Sequence, residues 1–265
     1  MTSGARVVGL FLLTSLASGP FGLPSAWAAP RAFPLTWTSQ TLEVGQHDFE
    51  AWLTPRIARL DDSLVLTDAR LALSTGVAPH LDALWGVDLD IVANESSSRL
   101  DPRLTTLWRW APLAADGPLG LGGFARASLA FDSLELEARL FADKKLGRLL
   151  LAINGSASRR FFWGGRSGVD THLEESAALR FAVGRSASFG LELYLKSGFL
   201  QGAYQGTGIY VGPSFSFDFG KLWVSLGATA QVAADKAAED RGNGQLLELR
   251  DNERFLGRLV VGYGE

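Results

Sequence analysis

The chain has 265 residues, 47% hydrophobic and 20% charged, with a formal net charge of −3 at pH 7. Bases and acids are scattered singly among one another, which excludes a polyanion partner such as nucleic acid. Cysteine is absent, so there is no disulfide framework, no thiol chemistry and no lipid-modified N-terminal cysteine.

Residues 1–28 read as a secretory signal. Arg6 precedes an apolar run from Val7 to Leu16, Gly19 and Pro20 break it, and Ala26-Trp27-Ala28 supplies the small-x-small pattern cut after Ala28. The run is about half of the roughly 20 residues that a spanning helix needs. Cleavage removes Arg6 and no acid, taking the net charge from −3 to −4. Residues 29–40 are then expected to form a short periplasmic extension, and residues 41–265 a single β-barrel.

Downstream, apolar residues alternate with charged or small ones, as in Trp85-Gly86-Val87-Asp88-Leu89-Asp90-Ile91 and Leu134-Glu135-Leu136-Glu137-Ala138-Arg139-Leu140. A period of two places successive side chains on opposite faces of a strand. The alternation predicts twelve strands: 47–58, 64–77, 83–93, 100–111, 119–131, 134–142, 148–160, 171–184, 188–197, 207–217, 221–232 and 254–263. Ten or fourteen are the neighbouring even counts. Connections after even strands are compact and rich in turn formers, as at Ala78–Asp82, Asp116-Gly117-Pro118, Asp143–Gly147, Arg185–Ala187 and Asp218–Gly220. The three longest follow odd strands, around Phe161–Asp170, Gly198–Gly206 and Ala233–Glu253. This parity is that of an up-and-down antiparallel barrel in a Gram-negative outer membrane, with short periplasmic turns and longer surface loops.

The apolar parity defines an expected lipid-facing wall through Leu71, Trp85, Val87, Trp108, Leu136, Leu140, Ile153, Leu179 and Leu193. Trp52, Trp85, Trp110, Trp163 and Trp223 lie near strand ends, where an interfacial aromatic girdle would place them. The opposite parity collects Asp88, Asp90, Arg109, Arg126, Glu135, Glu137, Arg139, Arg180 and Glu192, the candidates for a lumen constriction. The rival arrangement is a soluble β-sandwich, which turns that charged face to solvent and packs the apolar faces together. In a barrel of this size, opposite charges on one face pair across strands, so the lumen is expected to be crossed by ion pairs rather than wide open. Within it, Glu135, Glu137 and Arg139 form the densest stripe, as a selectivity element or as a structural network.

Phe255, Leu259, Val261 and Tyr263 recur along the last strand. The pattern resembles the C-terminal signal by which the insertion machinery recognises outer-membrane barrels, although Gly264 and Glu265 overhang the aromatic residue. Gln40-Thr41-Leu42-Glu43-Val44-Gly45-Gln46-His47-Asp48-Phe49-Glu50 resembles the first strand of small outer-membrane barrels grouped with transporter-like proteins of aromatic (phenol meta-pathway) degradation, with Val44 where those have proline. Glu135–Leu140, Ile153-Asn154 and Val211-Gly212-Pro213-Ser214 are similar in kind to that group's middle and late strands. The resemblance implies a porin-like outer-membrane barrel passing small, partly apolar or aromatic molecules.

Other chemistry is sparse. His172, Glu174 and Ser176 share one strand face and crudely mimic a base, an orienter and a nucleophile. Positions two apart lie about 7 Å from one another, too far for a direct proton relay, so no enzyme is expected. His47 with Asp48 and Glu50, and Asp61-Asp62, are too ordinary to mark a metal site; no metal and no cofactor are expected. Gly242-Asn243-Gly244 lacks the following helix of a phosphate loop. The sequons at Asn94 and Asn154 have no meaning in a bacterial outer membrane. Phe161, Phe162 and Trp163, in an expected surface loop, suit either the lipid interface or capture of an apolar solute. The expected role is a passive channel for a small molecule, with outer-membrane lipid and the insertion machinery as partners. The alternatives are a non-conducting structural or surface-interaction barrel and, behind it, a lipid-modifying enzyme.

Overall fold

The structure is a computed structural model and describes residues 31–57, 65–93, 98–115, 117–163, 168–237, 247, 249 and 252–265. The expected signal at 1–28, Asp61-Asp62, Asn94 and Gly242-Asn243-Gly244 lie outside the described residues. Among the described residues twelve strands form: β1 (His47–Ile57), β2 (Val65–Ala78), β3 (Leu81–Ala93), β4 (Ser98–Leu113), β5 (Gly120–Leu129), β6 (Ser133–Leu146), β7 (Leu149–Phe162), β8 (Gly168–Val183), β9 (Ala187–Leu200), β10 (Ala203–Asp218), β11 (Leu222–Lys236) and β12 (Phe255–Gly264). Each pairs with its sequence neighbour, and β1 pairs antiparallel with β12, closing the barrel and leaving no sheet edge. His47 and Glu265 exchange backbone hydrogen bonds at the seam.

Exposure decides which way the faces point. Leu140 is 75% exposed and Ile153 61%, while their chain neighbours Arg139 and Asn154 are each 8% exposed. A soluble sandwich would show the reverse order. Apolar side chains form a continuous outer wall and polar ones fill the interior, the signature of a transmembrane barrel whose solvent on the outside is lipid.

The two-residue turns follow from local chemistry. Pro79-His80 joins β2 to β3 with His80 at φ 65, and Gln201-Gly202 joins β9 to β10 with φ 51 and 85. Two successive positive φ values make a type I′ hairpin, whose twist matches that of the flanking strands. The long loop expected over Gly198–Gly206 is therefore only this hairpin: β9 runs on to Leu200 and β10 starts at Ala203, with a register shift between Tyr204 and Gly206 absorbing the irregularity. Phe161 and Phe162 likewise belong to the end of β7 rather than to a loop.

The tryptophans divide. Trp85, Trp108 and Trp110 face outward, the first two edge to face at 6.1 Å. Trp52 and Trp223, expected in the girdle, are buried inside the barrel. Trp223 fits there because β12 carries Gly262 opposite it; a Cβ at that position would lie 2.1 Å from the indole.

The largest departure from expectation is at the N-terminus. Residues 31–42 do not form a free periplasmic extension but run through the barrel interior, where Ala32, Phe33, Leu35, Trp37 and Leu42 are buried. The Gln40–Gln46 stretch is not the start of the first strand. It leaves the lumen through a turn in which Gln46 N–H donates to Glu43 O at 3.0 Å, and Gly45 N–H donates to Gly76 O of β2 at 2.9 Å.

Candidate functional site: a lumen divided by the N-terminal segment

The segment Ala32-Phe33-Pro34-Leu35-Thr36-Trp37-Thr38-Ser39 carries no charge and places apolar side chains at spacing two. Each meets a different part of the wall. Phe33 joins Leu150, Ala152 and Ala178 of β7 and β8; Leu35 joins Tyr194, Tyr210 and Leu256 of β9, β10 and β12. Trp37 enters the cluster of Trp52, Phe124, Phe141 and Trp223, with its ring centroid 4.9 Å from that of Phe124. Burying such side chains stabilises by roughly 1.5–3 kcal/mol each.

A segment that crosses a barrel interior outside the sheet has no ladder partner, so its backbone relies on wall side chains. Glu192 Oε2 accepts Leu35 N–H at 3.1 Å and the Thr36 hydroxyl at 3.0 Å. Asn154 accepts Trp37 N–H at 2.7 Å and donates to Trp37 O at 2.9 Å. Asp143 accepts Ser39 N–H at 3.1 Å, and Asp82 accepts Leu42 N–H at 3.0 Å. The chain of contacts starts at Arg31, whose guanidinium donates to both oxygens of Glu50 at 2.9–3.2 Å. It lies 3.7 Å from the Trp37 ring centroid and 4.3 Å from that of Trp52, a doubly stacked cation.

Among the described residues, two cavities border this segment. The outer one, about 440 Å³, has Leu35 and Trp37 on its floor and includes the wall toward the odd-to-even connections. Its lining holds eight bases and eight acids. They alternate around the wall: Arg70 with Asp88, Arg103 with Asp90, Arg126 with Glu135 and with Glu137 (2.8 Å), Arg139 with Glu137 (3.0 Å) and with Glu174 (2.7 Å), and Arg160 with Glu135. Cross-strand register produces the alternation, since Arg70 sits opposite Asp88, Asp88 opposite Arg103, Arg126 opposite Glu137 and Glu135 opposite Arg160. The inner cavity, about 490 Å³, lies at the turn end and includes Thr38, Ser39 and Gln40 in its lining.

Six of the sequence-derived candidates, Asp88, Asp90, Arg126, Glu135, Glu137 and Arg139, meet in the outer cavity. Three do not. Arg109 pairs with Asp82 and orients the carboxylate that holds Leu42, with its own guanidinium 5.4 Å from the Trp37 ring. Glu192 is spent on the segment, and Arg180 lies at the inner mouth. Phe161 and Trp163 are exposed; Trp163 Nε1 donates to Phe131 O at 2.9 Å, while Phe162 is half-buried. Glu174, the supposed orienter beside His172, is drawn to Arg139, while His172 Nδ1 and Ser176 Oγ find no hydrogen-bond partner among the described residues. The residues that sequence reading missed are those of the segment and its holders, Arg31, Trp37, Asn154, Asp82 and Asp143.

No protein-family model matches the sequence, and no curated protein matches it. Among solved structures, the fold is similar to an outer-membrane channel from Pseudomonas putida F1, at a TM-score of 0.60 and 12% identity over 86% of this chain and 98% of that one. It is also similar to NanC porin, at 0.52 and 10% identity over 82% and 98%. The likeness is one of fold: this chain is a closed barrel of the kind seen in small outer-membrane channels and porins.

Proposed function

We propose that this protein is an outer-membrane channel for small polar solutes, shut in the conformation seen here by its own N-terminal segment. The observation that carries the reading is that one short stretch, Leu35–Gln40, borders both cavities and so forms the partition between them. A barrel of twelve strands lies between the eight that side chains fill and the 16 that leave an aqueous channel, so removing one strand-like segment opens a path. The outer cavity, lined by matched charges, favours a solute with polar or charged groups over an aromatic hydrocarbon. The resemblance to barrels of aromatic degradation would favour a partly apolar solute, and Trp37, Trp52 and Phe124 at the cavity floor offer the aromatic faces for it. Trp163 and Phe161 suit the outer lipid interface, and the strand ending at Tyr263 suits recognition by the insertion machinery.

A second reading has its own support. Wall side chains hold the N–H groups of Leu35, Trp37, Ser39 and Leu42, and a segment so held makes a permanently closed structural barrel the natural alternative. Planar-bilayer recording of the refolded mature protein, beside a form lacking residues 31–42, separates the two. The channel reading expects rare openings in the full chain and sustained conductance in the shortened one. A folded, shortened barrel that stays silent overturns it.

A further inference from the structure

The two cavities differ in charge. Where the outer one is balanced, the inner mouth has Lys145, Arg148, Arg180 and Arg185 against Asp143 and Asp218. Both acids are engaged: Asp143 holds Ser39 N–H, and Asp218 Oδ1 accepts Gly220 N–H at 2.8 Å. None of the four basic side chains forms an ion pair or hydrogen bond with a described residue. Lys145, at the end of β6, and Arg148 and Arg185, on turns, are exposed, and a solvated base there is ordinary.

Arg180 is not ordinary. It stands on the inner face of β8, only partly exposed, and its cross-strand neighbours are Leu150 and Gly190, neither of which offers a polar side chain. Gly190 brings no side chain of its own, and the place its Cβ would take lies 2.5 Å from Leu179 O and 2.9 Å from Ser214 Oγ. A guanidinium withdrawn from bulk water without a counter-charge is costly unless something of opposite charge enters the cavity. Its planar fork of donors matches carboxylate and phosphate oxygens. The hydroxyls of Ser188 and Ser216 line the same cavity, and Thr38-Ser39-Gln40 forms part of its other side.

We infer that the inner mouth binds a small soluble oxyanion, carrying a phosphate or carboxylate group, with Arg180 as the contact and Lys145, Arg148 and Arg185 as the field that draws it in. An anion seated there touches wall and N-terminal segment together, so its binding favours the seated segment by linkage. The inference does not require that the barrel conduct, and binding is measured without any flux.

Calorimetric titration of inorganic phosphate into the mature barrel, refolded in a maltoside detergent, tests it. Saturable binding is expected, weakened about tenfold or more by Arg180→Gln, because a hydrogen bond to a charged group is lost. Arg180→Lys should retain part of the affinity, and Arg159→Gln, on the outer face, should leave it unchanged. No saturable binding of phosphate or of citrate, or binding indifferent to Arg180→Gln, overturns the inference. Should Arg180→Gln not fold, the exposed pair Arg148→Gln and Arg185→Gln is expected to weaken binding and to flatten its salt dependence; unchanged affinity and salt dependence would overturn it. Repeating the titration in bilayers with phosphatidylglycerol separates the two sources of phosphate. Undiminished affinity supports a soluble anion, and competition assigns the site to a lipid headgroup and overturns the soluble one.

Discussion

Arg31→Met should loosen the segment from the lumen more than any other single change. The guanidinium and the Glu50 carboxylate are both withdrawn from water, with side-chain exposures of 11% and 5%. Methionine keeps much of the volume and the contact with Trp37 and Trp52, but leaves Glu50 with the Trp52 indole N–H, 2.6 Å away, as its remaining donor among the described residues. Removing one partner of a buried ion pair costs about 3–5 kcal/mol, because the other charge is stranded. With the segment out, Glu50 is hydrated and the penalty disappears, so the whole cost falls on the seated state. At about 1.4 kcal/mol per tenfold, the seated-to-open ratio drops by roughly two to three and a half orders of magnitude. Single-channel recording reads this directly as open probability. Adding Glu50→Gln removes the stranded charge and should restore most of the closure, a coupling that a double-mutant cycle isolates. A folded Arg31→Met barrel with the open probability of the parent would refute the reasoning, since it would mean that the ion pair does not hold the segment.

Three further outcomes follow from the geometry. Leu140→Arg, on the outer wall at a position 75% exposed, should destabilise the barrel in bilayers by about 2–4 kcal/mol in refolding titrations, against about 0–1 for Phe131→Arg at the rim. Glu135→Gln with Glu137→Gln leaves Arg103, Arg126, Arg139 and Arg160 under-neutralised, so reversal potentials of the segment-deleted channel should shift toward anion selectivity; an unchanged potential would mean that this network is structural only. Gly262→Ala drives a methyl against Trp223, an overpacking worth about 1–3 kcal/mol or more, visible as a lowered unfolding midpoint in urea.

Strands were legible because alternation is a local signal, and a lipid-facing wall next to a polar lumen sharpens it. Leu134–Leu140 is unambiguous for that reason. Turns were less so: Gly198, Gln201, Gly202 and Gly206 look like one glycine-rich loop, but Gln201 and Gly202 alone make the turn, and Gly206 is a buried residue beside a register shift. Trp52 shares its parity with Glu50 and Thr54 and so had to face inward; its place near a strand end argued the opposite and was the weaker guide. The segment's route was invisible because its partners are remote. Trp37 meets Asn154 and Leu35 meets Glu192, 117 and 157 positions away. What the sequence did hold was Phe33, Leu35 and Trp37 at strand spacing in an uncharged stretch, the pattern of a strand with no hairpin partner. Asn154, an uncharged amide at an inward position, was the other half of that signal.

The most direct test is to lock the segment in place and release it in the same molecule. The chain has no cysteine, so Thr36→Cys and Glu192→Cys, at positions whose side chains meet at 3.0 Å, can be bridged by a short cleavable thiol reagent. Conductance should be absent while the bridge is intact and should appear once it is cleaved. Equal conductance before and after cleavage would contradict the claim that this segment is the gate.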